Sequence, residues 1–274
     1  MHLSQRRVCK ALGVPRSLAR YQARLPAKDK ELVARMHELA KEHRRYGYRR
    51  VAALLRAEGW RVNNKRVRRL WRREGLKIPR KVKKRRRLGH TGNGCTRRRA
   101  MKRNEVWSYD FLFDQTADGR TLKILPVVDE FTRECVVMLV GRSLAAKDVL
   151  AALAKAAKER GMPSHLRSDN GPEFIAERVK GWLAKEGTGT LYIEPGSPWE
   201  NAYSESFNSR LRDELLNGEL FSSLKEAAVL LEQWRRAYNE ERPHSSLGYV
   251  APAAFARTCV PPASASPRPV GELE

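Results

Sequence analysis

The sequence predicts an α/β protein: a mixed five-stranded sheet with flanking helices, preceded by an all-α basic region. Two observations carry this. From Asn104 onward the chain reads as three strands in hairpins, then helix, strand, helix, strand and helix, an order that builds a sheet covered by helices. Upstream, the apolar residues recur at helical spacing between glycine breaks.

Charge separates the same two parts. Residues 1–103 hold 35 Lys and Arg against 6 Asp and Glu, a net +29, whereas residues 104–274 hold 20 against 25, a net −5. Such asymmetry calls for a polyanion held mainly by the N-terminal part. No apolar run approaches the ~20 residues of a spanning helix, and no apolar targeting segment follows Met1, so nucleic acid is the expected partner rather than a membrane. Cys9, Cys95, Cys135 and Cys259 are scattered with no CxxC pair, so neither a disulfide framework nor a Cys-rich zinc site is indicated, and a reducing cytoplasm fits. His37 and His43 read as surface residues of a helix.

Residues 1–26 read as two short helices broken at Gly13. Residues 27–78 follow with a helix over 28–44, then two helices separated by Gly59, the second ended by Gly75. Two helices joined by a tight glycine turn form the helix-turn-helix pattern. The second carries Lys65, Arg66, Arg68, Arg69, Arg72 and Arg73, all candidates for DNA binding. Asn63 and Asn64 at its start are placed to read base edges, where Asn suits adenine. Residues 79–103 contain 12 Lys and Arg, no acid and three glycines, the composition of a linker lying on phosphates.

In the second part, "VWSYDFLF" alternates, with Val106, Ser108 and Asp110 on one face and Trp107, Tyr109 and Phe111 on the other. Asp118-Gly119 signals a hairpin, and a tight turn is expected at 129–133. Pro126 is awkward inside its strand and is expected to touch none of the key acids. A helix over 144–160 stops at Gly161; a strand at "HLRSD", a helix over 175–185 and a strand at "TLYIEP" follow. Residues 104–257 make up this part, and 258–274 form a Pro/Ala/Ser-rich tail.

Three acids stand out. Asp110 sits mid-strand among aromatic residues, where Asp is disfavoured. Asp169 ends a strand and begins Asp-Asn-Gly-Pro. Glu205 lies on a helix whose start is marked by the Ser197/Glu200 capping box with Pro198 at its first position, on one stripe with Asn201, Asn208 and Arg212. Carboxylates from two strand ends and a packed helix can converge on a pair of Mg²⁺ ions, with Mn²⁺ a substitute. A two-metal site of this kind activates a water or 3′-hydroxyl and stabilises the leaving oxygen of an in-line phosphoryl transfer. Asp129 is read as a decoy in its turn, Asp114 stays an alternative that the aromatic pattern fits less well than Asp110, Glu173 is read as a neighbour supporting Asp169, and His244 as packing the C-terminal segment.

Asp110, Asp169 and Glu205, with 35 residues between the last two, resemble the DDE triad of retroviral integrases and related insertion-sequence transposases. "YGYRRVAALLRAEGWRVNNKRVRRLWRREGLK" is similar to their helix-turn-helix segment. "WSYDF", "VVDEFTRE", "RSDNGPEF", "ENAYSESFNSRLRDELLN" and "YNEERPHSSLGYVAPAAF" are similar to successive blocks of their catalytic region. The resemblance, closest to the second-frame (OrfB-type) product of a bacterial insertion sequence, implies an RNase H-like core. It implies double-stranded DNA, at element ends and target, as partner, and Arg212 as a contact to the element end. A homo-oligomer on DNA, an upstream-frame OrfA-type product or fusion, and a cytoplasmic, nucleoid-associated location are further expectations. A catalytically inactive or co-opted repressor is the alternative; it predicts binding that survives loss of the acids. An RNase H-type nuclease would share the core but not the helix-turn-helix segments.

Overall fold

A computed structural model of the chain describes residues 4–20, 27–77, 99–168, 177–192 and 201–259. Most of the expected linker and tail, Asp169, Glu173 and the Ser197/Glu200 capping box lie outside them. Among the described residues no helix is long and apolar enough to cross a membrane.

The first helices are α1 (Gln5–Ala11) and α2 (Arg16–Ala19), followed by α3 (Ala27–Glu42), α4 (Tyr48–Ala57) and α5 (Asn64–Arg73). Helices α3 to α5 close on one core in which Leu32, Met36, Val51, Leu55, Val67 and Leu70 are fully buried. The turn between α4 and α5 needs Gly59, at φ +90°: its N–H reaches the Arg56 carbonyl and that of Trp60 the Leu55 carbonyl, a glycine-dependent helix stop. His37 is exposed as expected, but His43 is half-buried because its ring stacks on Tyr46 at 4.5 Å.

The sheet contains β1 (Val106–Tyr109), β2 (Leu112–Gln115), β3 (Thr121–Asp129), β4 (Cys135–Gly141), β5 (His165–Ser168) and β6 (Gly189–Tyr192). The five expected strands become six because the first is split in two. Strands β1 and β2 pair with the same edge of β3 in one register, Tyr109 opposite Val127 and Leu112 opposite Ile124, while β4 takes the other edge. The sheet is therefore still five positions wide. Its β4–β3–β1 half is antiparallel, and β5 and β6 run parallel to β1.

Both faces are covered. Helices α6 (Ala146–Arg160) and α7 (Glu177–Lys185) bury Val149, Leu153 and Trp182 against Trp107, Tyr109 and Val127. On the opposite face lie α8 (Ala202–Leu211), a π-helical turn at Arg212–Leu216 and α9 (Leu224–Glu240). Phe207, Leu211, Leu231 and Tyr238 pack there on Leu112, Ile124 and Val128. A short helix, α10 (Pro252–Thr258), ends the described chain.

Candidate active site

Asp110 is not mid-strand. It occupies, with Phe111, the gap between β1 and β2, and continuing the register across that gap sets Asp110 opposite Pro126. The ladder lapses beside the only residue of β3 that has no N–H to give. Pro126, expected to be remote from the acids, thus marks the place where the strand opens to present one of them.

Alternation gives Asp110 the same face as Ser108 and Leu112, the face that receives α8. There Asn208 Nδ2 donates to Asp110 Oδ2 at 3.0 Å. Asn208 lies one turn beyond Glu205, so this bond fixes the rotation of α8 and keeps Glu205 on the neighbouring, exposed edge of the helix. Glu205 falls in the first turn of the described helix, whose expected start at Pro198 lies outside the described residues. Arg212, two turns past Glu205, is exposed and donates to the Phe113 carbonyl at 3.3 Å, bridging helix and strand β2.

The contact between β1 and α8 is polar. Ser108, Asn201, Ser204 and Asn208 are all buried, and Ser108 Oγ, Ser204 Oγ, Asn201 Oδ1 and Asn208 Oδ1 have no hydrogen-bond partner among the described residues. Unpaired buried oxygens of this kind are costly unless water or a cation satisfies them. These oxygens and the Asp110 and Glu205 carboxylates are all of the donor type that suits a hard cation. Among the described residues no three His, Cys, Asp or Glu side chains group closely enough to hold a metal by themselves. Asp169 lies outside those residues, directly after Ser168 at the end of β5.

The decoy acids have local duties. Asp129 accepts N–H bonds from Asn104, Phe131 and Thr132 at 2.8, 2.8 and 2.9 Å. Burial pushes its pKa up against those donors. Asp114 accepts from the Gln115 N–H at 2.8 Å. His244 is half-buried, with its pKa lowered to about 4 by burial and by Arg242, Arg133, Arg50 and Arg210. It is neutral at physiological pH and meets Tyr238 edge-on at 6.3 Å, consistent with packing.

In the helix-turn-helix, Lys65, Arg68, Arg69, Arg72 and Arg73 are exposed on α5. Several of the nominated residues hold structural bonds; Arg73 pairs with Glu74 at 3.1 Å and Arg69 lies 3.8 Å from Asp29. Asn63 caps α5 by accepting the Arg66 N–H at 2.7 Å, and Asn64 accepts from Arg56 at 3.2 Å. Arg66 donates from Nε at 2.9 Å to Asp29, which is 1% exposed, so its guanidinium ties α5 to α3. The first turn of a helix leaves N–H groups without partners, which is why Asn63 serves the backbone.

A basic helix-turn-helix beside a sheet-and-helix core that presents carboxylates defines a DNA-processing enzyme. Residues 100–198 and 186–252 match the integrase core domain family, and residues 27–85 match an HTH-like domain. The chain is 41% identical over 262 residues to the 31.7 kDa protein of insertion element IS407 from Burkholderia multivorans, covering 93% of this chain and 91% of that one. It is 29% identical to the transposase of insertion sequence element IS904 from Lactococcus lactis, covering 78% and 88% of the two chains. The fold is similar to that seen in the simian T-cell lymphotropic virus intasome, with a TM-score of 0.52 at 14% identity over 87% of this chain and 78% of that chain. The chain belongs to the insertion-sequence transposase family with an integrase core. It is a DNA transposase, a polynucleotidyl transferase of the DDE type.

Proposed function

We propose that this chain binds the ends of its insertion sequence, cuts there and transfers the freed strand to target DNA, with Asp110, Asp169 and Glu205 as its catalytic acids. The bond from Asn208 to Asp110 carries the reading, because it joins the Glu205 helix to the strand gap that bears the first acid. The three carboxylates would hold Mg²⁺, or Mn²⁺ in its place; once bound, the metal supplies a nucleophile and charge neutralisation for phosphoryl transfer. The residues' own part is positional. Asn208 orients Asp110, and Arg212 offers a guanidinium to a phosphate of the element end. Lys65, Arg68, Arg69, Arg72 and Arg73 hold the duplex backbone, a contact that fixes register without reading sequence. Two ends must meet, so a homo-oligomer on DNA is the working form. An upstream-frame OrfA-type product, free or fused, adds further DNA contacts, and the complex acts on the nucleoid in the cytoplasm.

The test is nicking of end-bearing DNA with Mg²⁺ or EDTA, using the wild-type chain and Glu205→Gln. Metal-dependent nicking that disappears in the variant while DNA binding survives is the expected result. Binding with no nicking by either protein, also when fused to the upstream product, would favour a repressor.

A further inference from the structure

The helix that carries Glu205 does not end at Leu211. It runs on through the π-helical turn Arg212–Leu216, where the Asn217 N–H reaches back to the Arg212 carbonyl at 2.9 Å. Single π turns inside helices recur at functional sites. This one ties three parts of the molecule together within three residues. Arg212 reaches the sheet through Phe113. Asp213 forms an ion pair with Arg45, in the segment leading into α4. Glu214 accepts from Arg242, beyond α9, at 2.7 to 3.1 Å, and lies 3.5 Å from Arg50 of α4.

Burial sets the Glu214 pairs apart from ordinary surface ion pairs, while Arg45 and Asp213, 38% and 27% exposed, extend the same joint toward solvent. The Glu214 and Arg242 side chains are 9% and 2% exposed, and Arg50 also lies over the Tyr46 ring at 5.2 Å. Buried, geometrically tight pairs fix one arrangement, whereas exposed ones contribute little. Asp213 lies about 12 Å along the helix from Glu205, at 1.5 Å per residue, on one rigid rod.

We infer that Asp213 and Glu214 are positioning residues: they fasten the exit of the Glu205 helix to the DNA-binding module, so that a module seated on DNA holds Glu205 in its working pose. The inference rests on Glu205 being catalytic. Its test is a charge swap in the full chain, comparing Arg45→Asp, Asp213→Arg and the double variant with wild type and Glu205→Gln. Nicking of end DNA, DNA affinity and amide exchange across residues 205–216 are read together. Asp213→Arg adds a positive charge, so weaker DNA binding cannot explain a loss. It is expected to nick about tenfold more slowly, with the swap recovering most of the rate. Wild-type nicking by Asp213→Arg, or no recovery in the swap, overturns the inference. Should the wild type fail to nick also when fused to the upstream product, or Glu205→Gln nick normally, the catalytic reading itself is wrong. Amide exchange then decides the joint: faster exchange in Asp213→Arg that the swap reverses sustains it, and unchanged exchange overturns it.

Discussion

Removing the Asn208 amide tests the site most directly. Asn208→Ala deletes one 3.0 Å bond, from a donor that is 8% exposed to a carboxylate oxygen. A hydrogen bond to a charged group contributes about 1.5–3 kcal/mol net. Asp110 is half-buried, so water can take the vacated place, and the loss falls at the low end, about 1.5 kcal/mol or roughly tenfold. Partners that orient metal-holding carboxylates typically cost about 10- to 100-fold in metal affinity or activity when removed, which agrees. The assay is nicking of end DNA across a Mg²⁺ titration. Half-saturation is expected to rise about tenfold with DNA affinity unchanged. A titration identical to wild type would refute the claim that Asn208 orients Asp110. An equal loss at every Mg²⁺ concentration, together with weaker DNA binding, would refute it too.

Three further outcomes are expected. Pro126→Ala restores an N–H opposite Asp110; nicking should fall while the denaturant midpoint holds or rises, because the gap closes into a regular ladder. Arg66→Met removes the hydrogen-bonded partner of the buried Asp29 carboxylate, leaving Arg69 at 3.8 Å, and should cost the helical module about 3 kcal/mol in an unfolding titration, whereas Lys65→Ala should leave stability alone and lower the salt slope of DNA binding by about 1. His244 keeps its proton off until about pH 4 in the folded chain, against about 6.5 when unfolded, so stability contributed by the neutral ring is complete above 6.5 and drains as pH falls toward 4. Between pH 7 and 4.5 the wild type should lose about 2 kcal/mol more than His244→Gln, measured by urea unfolding at each pH.

Local sequence patterns were enough to place the elements and to nominate the acids. Period-two alternation set Trp107 and Tyr109 against one layer and Leu112 against the other, and the glycines at 59, 75 and 161 stop helices where their positive φ values require them. Helical spacing placed Glu205, Asn208 and Arg212 on one stripe, since that pattern depends only on residues a turn or two apart. Tertiary structure decided what those side chains meet. Pro126 gained its meaning only when β3 came to lie beside Asp110, 16 positions away. Asn208 gained a role when α8 settled on β1, and Arg66 was withdrawn from the DNA-binding set by Asp29, which the sequence leaves 37 positions upstream. The joint at Asp213 and Glu214 was invisible for the same reason. Its partners Arg45, Arg50 and Arg242 come from both ends of the chain, and local periodicity carries no information about which charges long-range packing brings together.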